Sequence, residues 1–158
     1  MTDISSRLSL QPVVAGDFEE MLALRIDAMR PSLERVGRFD FARSRERLSA
    51  GFLPQYMQHI LLDGVRVGFF TLKPESDTAL RLDHLYLRGN ASGQGIGAWV
   101  LRQVLSHAGA RGLAVRLTAL KESDANRFYV RHGFVLQGEE GVDLHYECPV
   151  TPVTEPAT

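Results

Sequence analysis

The sequence predicts a mixed α/β fold: a mostly antiparallel sheet of about seven strands with four helices, parallel at a single crossover. Three observations lead there. Asp63-Gly64 stands between the apolar runs His59–Leu62 and Val65–Leu72, which is the strongest short-range hairpin signal. The run Leu80–Leu87 passes through a glycine-rich loop into a helical pattern and then a further strand, Leu113–Ala119, the order of a parallel crossover unit. The chain then closes on two strand-like runs, Phe134–Gln137 and Val142–Cys148, around Gly138-Glu139-Glu140-Gly141.

The other elements follow in order. Leu8 and Leu10 alternate with polar residues and predict a short first strand. Asp17 is an N-cap with Glu20 three residues on, and Phe18, Met21, Leu22 and Met29 share one face of the helix that follows. Pro31 is expected to stop or redirect that helix. The stretch Arg30–Phe39 reads as polar and irregular. A second helix runs from Asp40 as cap to Gly51 as the residue past its end. The helix after the glycine loop spans Gly97 to about Ala108 and stops at Gly109 or Gly112. A short capped helix covers Ser123–Gly133. Within Leu80–Leu87 the leucines sit at 80 and 82, then at 85 and 87. A regular strand keeps one parity, so either an extra residue is inserted at Asp83-His84 or both faces of the strand are covered.

With 158 residues the chain is expected to form one domain, residues 1–150, followed by a loose tail, 151–158. A net charge of -1 argues against a nucleic-acid partner, which a basic surface would attract. The single cysteine, Cys148, excludes an internal disulfide. Five histidines without ligand spacing give no metal site. The sequence contains no apolar run long enough for a membrane span, and Met1–Ser6 does not read as a secretory signal, so the expected location is the cytoplasm.

The stretch that carries chemistry is Ser92-Gly93-Gln94-Gly95-Ile96-Gly97. A strand that turns through glycines into a helix presents unpaired amides and the positive end of the helix dipole, which together bind an anion. Glycines let that backbone press against a phosphate. The text Gly93 to Ala98 also fits the dinucleotide fingerprint, with Glu122 as a ribose-binding acid. A dinucleotide domain needs further strand–helix units after the loop, however, and this chain ends in paired strands. No Lys-Ser/Thr pair follows the glycines, so the loop is not a P-loop.

The order of elements resembles the GNAT superfamily of acetyl-CoA-dependent N-acyltransferases. Leu85-Tyr86-Leu87, Arg88 to Ala91 and then Ser92–Gly97 resemble its pyrophosphate motif, [Q/R]-x-x-G-x-[G/A]. Asn126, Phe128-Tyr129 and Gly133-Phe134 resemble its later N…Y…G-F motif, and Met29–Phe39 resembles the helix-linking region of some bacterial members. The similarity covers nearly all of residues 7–148. It departs at Ser92, where the motif opens with Gln or Arg; the backbone donors survive that change.

The resemblance implies an N-acetyltransferase that moves acetyl from acetyl-CoA to a primary amine by direct transfer, with no metal. It implies that Ser92, Gly93, Gln94, Gly95, Ile96 and Gly97 hold the pyrophosphate, and that Leu85, Tyr86 and Leu87 pair with the pantetheine arm as a strand edge pairs with a peptide. The N–H of Leu87 or a neighbour would steady the carbonyl oxygen. Asn126 would bind the arm. Tyr129 is the candidate general acid, because a phenol is protonated at neutral pH. The base is open among Asp83 and His84 on the incoming strand, His145, Glu34 and a water relay; a strand His or Asp is also commonly a satisfied structural group. Cys148 reads as a buried thiol. Arg30, Arg35, Arg38, Arg43, Arg45 and Arg47 form a solvated face, or a site for an anionic acceptor or for the CoA 3′-phosphate. Two competing functions are a nucleotide-binding (NAD-type) oxidoreductase and a catalytically silent CoA-binding module. The partners expected are acetyl-CoA and an amine, with a homodimer allowed.

Overall fold

The computed structural model describes residues 4–35, 37–91, 95–121 and 123–150. Its strands are β1 (Leu8–Pro12), β2 (Met57–Leu62), β3 (Val65–Ser76), β4 (Ala79–Leu87), β5 (Ala114–Leu120), β6 (Val135–Glu140) and β7 (Asp143–Cys148). Its helices are α1 (Phe18–Arg35), α2 (Phe41–Ala50), α3 (Ile96–Ala110) and α4 (Ala125–Arg131). The strand order is β1-β2-β3-β4-β5-β7-β6, with β4 and β5 the parallel neighbours. This is the predicted mixed sheet. The chain divides into two compact units: residues up to Thr71 with His84–Trp99, and Leu72–Asp83 with residues from Val100 onward. The boundary falls inside β3, β4 and α3.

In the first unit, β1, β2 and β3 form an antiparallel meander. The Asp63-Gly64 turn joins β2 to β3 with φ of 52° and 82°, the left-handed pair that a two-residue hairpin requires. Val13, Met21, Leu22, Leu24, Leu48, Met57 and Phe69 make the core, with Phe18, Ile26, Phe52 and Tyr86 packed against it. Phe69 is wholly buried, and burying such a side chain is worth about 1.5–3 kcal/mol.

Helix α1 does not stop at Pro31; it runs on to Arg35. A proline in a helix costs one hydrogen bond while its fixed φ remains helical. The last turn is held by the Arg30–Glu34 ion pair and closed by the N–H groups of Gly37 and Arg38 on Glu34 O and Leu33 O. Residues 30–35 are therefore helical rather than irregular. Asp17 closes a 3-10 turn, Ala15–Asp17, before α1, and its carboxylate accepts the Val14 N–H at 3.0 Å. Asp40 caps α2 as predicted, accepting the Arg43 N–H.

In the second unit, β4 pairs with β5 from Ala79↔Ala114 to Arg81↔Arg116, and β5 pairs antiparallel with β7 along six residues. Val100, Leu101, Val104 and Ala108 of α3 are buried at helical spacing. The helix starts and ends close to the predicted bounds, and Gly112 past its end is left-handed, with φ of 69°. The loop expected at Gly138–Gly141 is mostly strand. Gly138 sits at a register shift against β7, and the turn narrows to Gly141 and Val142, with Gly141 at φ 62°.

Candidate active site

Of the anion-binding stretch, Ser92, Gly93 and Gln94 lie outside the described residues, as do Glu122 and the tail 151–158. Gly95 has φ of 79°, a conformation that glycine adopts freely, and a Cβ there would meet nothing within 4 Å. Its carbonyl accepts the Trp99 N–H at 3.1 Å, so Gly95 occupies the cap position of α3. The amides that open the helix, at Ile96 and Gly97, have no partner within it. No acidic residue stands in the first turn of α3, so no charge there opposes an anion. These features fit the pyrophosphate of a coenzyme A.

Leu85, Tyr86 and Leu87 are half-buried at the end of β4. β3 lies tight beside them: a Cβ on Gly68 would overlap the Tyr86 carbonyl oxygen and stand 2.8 Å from Leu87 Cδ2. Beyond the strand, the Arg88 N–H donates to Val67 O at 2.8 Å and the Gly89 N–H to Asp27 Oδ2 at 3.0 Å. The approach to the glycine loop is thus tied to both β3 and α1.

His84 has left-handed backbone, φ 52°, inside β4. Left-handed φ at a non-glycine residue is uncommon, with His among the more tolerant types, and here it falls where the leucine parity changes. The ring lies over Gly51, where a Cβ would be 2.6 Å from its Nε2. Its Nδ1 is 3.4 Å from the Tyr86 hydroxyl, a long hydrogen bond. Tyr86 meets Phe69 edge-on at 5.4 Å, and the Arg25 guanidinium lies 5.5 Å above its ring centroid.

Asp83, next in sequence to His84, is instead in an ion pair with Lys73 at 3.4 Å. Glu34 is paired with Arg30. His145 contacts Thr118 Oγ1 at 2.9 Å and Glu140 at 3.3 Å. These three carry structural partners.

On α4, Tyr129 is 8% exposed and packs edge-on against Phe134, with Tyr146 at 6.4 Å. Asn126 spends its amide on the protein: Nδ2 donates to Leu120 O at 3.0 Å and Ser123 O at 2.9 Å, and Oδ1 accepts from the Tyr146 hydroxyl at 3.0 Å. These bonds fix the β5–α4 corner. An open groove of about 520 Å³ is lined by Asn126, Arg127, Val130, Arg131 and Tyr146. Cys148 is buried, and burial with the nearby Glu147 pushes its thiol up, so it stays protonated. Among the described residues no cluster of His, Cys, Asp or Glu is placed to hold a metal. No helix among them is long and apolar enough to cross a membrane.

The family model for the acetyltransferase (GNAT) domain matches residues 56–136. The chain belongs to the GNAT acetyltransferase family. The match spans β2 to the start of β6, and with it the glycine loop, β4 and α4. This GNAT chain is an acetyl-CoA-dependent N-acetyltransferase. A search of curated protein sequences finds no match. Among solved structures, the PaiA N-acetyltransferase of Thermoplasma acidophilum, in complex with coenzyme A, is similar at 16% identity over 90% of this chain and 98% of that one, with a TM-score of 0.73. The acetyltransferase of Salmonella typhimurium that modifies the N-terminal serine of ribosomal protein L7/L12 is similar at 18% identity, over 94% and 98%, with a TM-score of 0.69. An acetyltransferase of Thermus thermophilus matches at 18% identity, over 90% and 96%, with a TM-score of 0.70. At these identities the likeness is one of fold.

Three residues of the site escaped the sequence reading: Gly68, Gly51 and Arg25. A glycine inside an apolar strand signals close backbone approach, and Gly68 fits that cue. Arg25 falls at helical spacing from Met21, Leu22 and Met29, on the apolar stripe itself.

Proposed function

We propose that acetyl passes directly to a primary amine, with Tyr129 as general acid and His84 as general base. When bound, acetyl-CoA supplies the activated thioester. The amides at Ile96 and Gly97 anchor its diphosphate, together with Ser92, Gly93, Gln94 and Gly95. The β4 backbone at Leu85–Leu87 aligns the arm, and the Leu87 N–H donates to the carbonyl oxygen. The His84 imidazole takes the proton of the incoming ammonium. A phenol is protonated at neutral pH, and that of Tyr129 gives its proton to the leaving sulfur. Asp83 serves by pairing with Lys73 rather than as the base.

The observation that carries direct transfer is Cys148. It is the sole cysteine, it is buried, and its thiol is held protonated, so a route through an acyl-cysteine has no nucleophile. Its free thiol also suits a reducing compartment, and we place the enzyme in the cytoplasm. The edge strand β6 exposes all six of its residues, Val135 and Leu136 among them, which favours a homodimer through that edge. Size-exclusion chromatography tests this.

The test of the mechanism is an amine panel with thiol detection of released CoA. Cys148→Ala should turn over normally. Tyr129→Phe should lose about a hundredfold or more in kcat while still binding CoA by calorimetry. Full activity of Tyr129→Phe on every accepted amine removes the acid assignment. CoA binding without turnover on any amine supports the silent module.

A further inference from the structure

Arg25 projects from the buried stripe of α1 and is 4% exposed. Its Nε and Nη1 are shielded from solvent and have no hydrogen-bond partner among the described residues. A buried cation without an acceptor is costly, and side chains in this state are rare. Acids are not in short supply. Helix α1 carries Glu19, Glu20, Asp27 and Glu34, yet these go to Arg45, Arg66, the Gly89 N–H and Arg30. Among the described residues its compensating contact is the face of Tyr86, a weak substitute for a counter-ion. A second orphan lies on the same side of the sheet. Thr71 is wholly buried with its Oγ1 unpaired, two residues along β3 from Phe69, the ring that touches Tyr86.

We infer that Arg25 receives a carboxylate of the acceptor, so that the enzyme selects amines carrying an acidic group near the nitrogen. This rests on the transferase reading above, with His84 taking the amine proton. His84 reaches the hydroxyl of the same Tyr86 that Arg25 covers, so an anion seated on Arg25 belongs to the amine rather than to the coenzyme. The coenzyme's diphosphate has its own amides at the start of α3. A guanidinium offers two parallel donors to a carboxylate, and one cation balances one carboxylate, whereas a phosphate dianion would need more positive charge.

The test pairs each amino acid with its decarboxylated amine, phenylalanine with 2-phenylethylamine and lysine with cadaverine. A second arm uses C-terminally amidated peptides with Glu or Gln in second position, which separates a free amino acid from an acidic peptide. The wild type should prefer the carboxylate member of one arm by about thirtyfold in kcat/KM, the range of a charged hydrogen bond. Arg25→Met should abolish the preference while binding CoA as before, and its melting temperature without ligand should hold or rise, because a buried unpaired charge is gone. Arg25→Lys keeps the charge without the fork and should retain part of the preference. If no amine turns over, the transferase mechanism fails separately, and the site is read by melting temperature. N-acetylphenylalanine should raise it in wild type but not in Arg25→Met, and N-acetyl-2-phenylethylamine in neither. No carboxylate preference in either readout, or one that survives Arg25→Met, overturns the inference and leaves water as the partner of Arg25.

Discussion

Asp17 Oδ2 lies 2.8 Å from His59 Nε2, and His59 is 1% exposed in β2. The same carboxylate takes the Val14 N–H and faces Arg66, so one side chain ties the entry of α1 to two strands. Its hydrogen bond from His59, then that from Val14, hold the Asp17 carboxyl below the usual carboxylate range. A carboxyl whose pKa is lower folded than unfolded stabilises fully above its unfolded value and loses that contribution as pH falls through the folded one. Thermal melts taken from neutral pH down to about pH 3 should show an acid-side loss that Asp17→Asn flattens. Asp17→Ala should cost about 1–3 kcal/mol in urea unfolding at neutral pH, because the buried His59 nitrogen is left unpaired. An unchanged acid limb in Asp17→Asn would assign the sensitivity to another group.

Gly68 sets how closely β3 approaches the end of β4. In Gly68→Ala the new methyl overlaps the Tyr86 carbonyl oxygen, and backbone cannot step aside as a side-chain tip can. The variant should lose about 1–3 kcal/mol of stability, the ordinary cost of overpacking. Calorimetry should also show weakened CoA binding, since the strand edge at Leu85–Leu87 moves. A control at Gly109→Ala, where a Cβ meets nothing within 4 Å inside α3, should be neutral or slightly stabilising.

The skeleton of the fold was legible because its signals are local. Asp63-Gly64, the Asp40 cap and the helix after the glycine loop each depend on a few adjacent residues. Pro31 misled because α1 continues past it at the cost of one bond, and its closing contacts at Gly37 and Arg38 do not announce themselves in composition. Gly138 misled because a glycine marks a register shift as readily as a turn. At the site, the parity change in β4 pointed to His84, where the backbone turns left-handed. Arg25 stayed hidden for another reason: an arginine on an apolar stripe looks like a long solvated side chain until the paired carboxylates around it are known.

Asn126 and Tyr146 should behave as one unit. Asn126→Ala removes two donors from the β5–α4 corner and strands the Tyr146 hydroxyl, for about 1–3 kcal/mol. Tyr146→Phe should cost less, about 1 kcal/mol, because only one bond is lost. In a double-mutant cycle by urea unfolding the pair should couple by at least about 0.5 kcal/mol. Additive effects would mean that the Tyr146 hydroxyl finds water as easily as it finds Asn126.

His84 is placed as much by Gly51 as by its own strand. A methyl at position 51 would stand 2.6 Å from His84 Nε2, and the ring, being a side-chain end, would swing rather than unfold the helix end. Gly51→Ala should therefore keep its stability and CoA affinity while kcat falls by up to about a hundredfold, the scale of a misplaced catalytic group. His84→Gln should fall by about a hundredfold or more and lose the rise of kcat with pH through the imidazole range. The two variants separate a base from a merely structural histidine. If His84 only packs, His84→Gln would lower the melting temperature, leave the pH profile of kcat unchanged, and respond to Gly51→Ala in stability rather than in turnover.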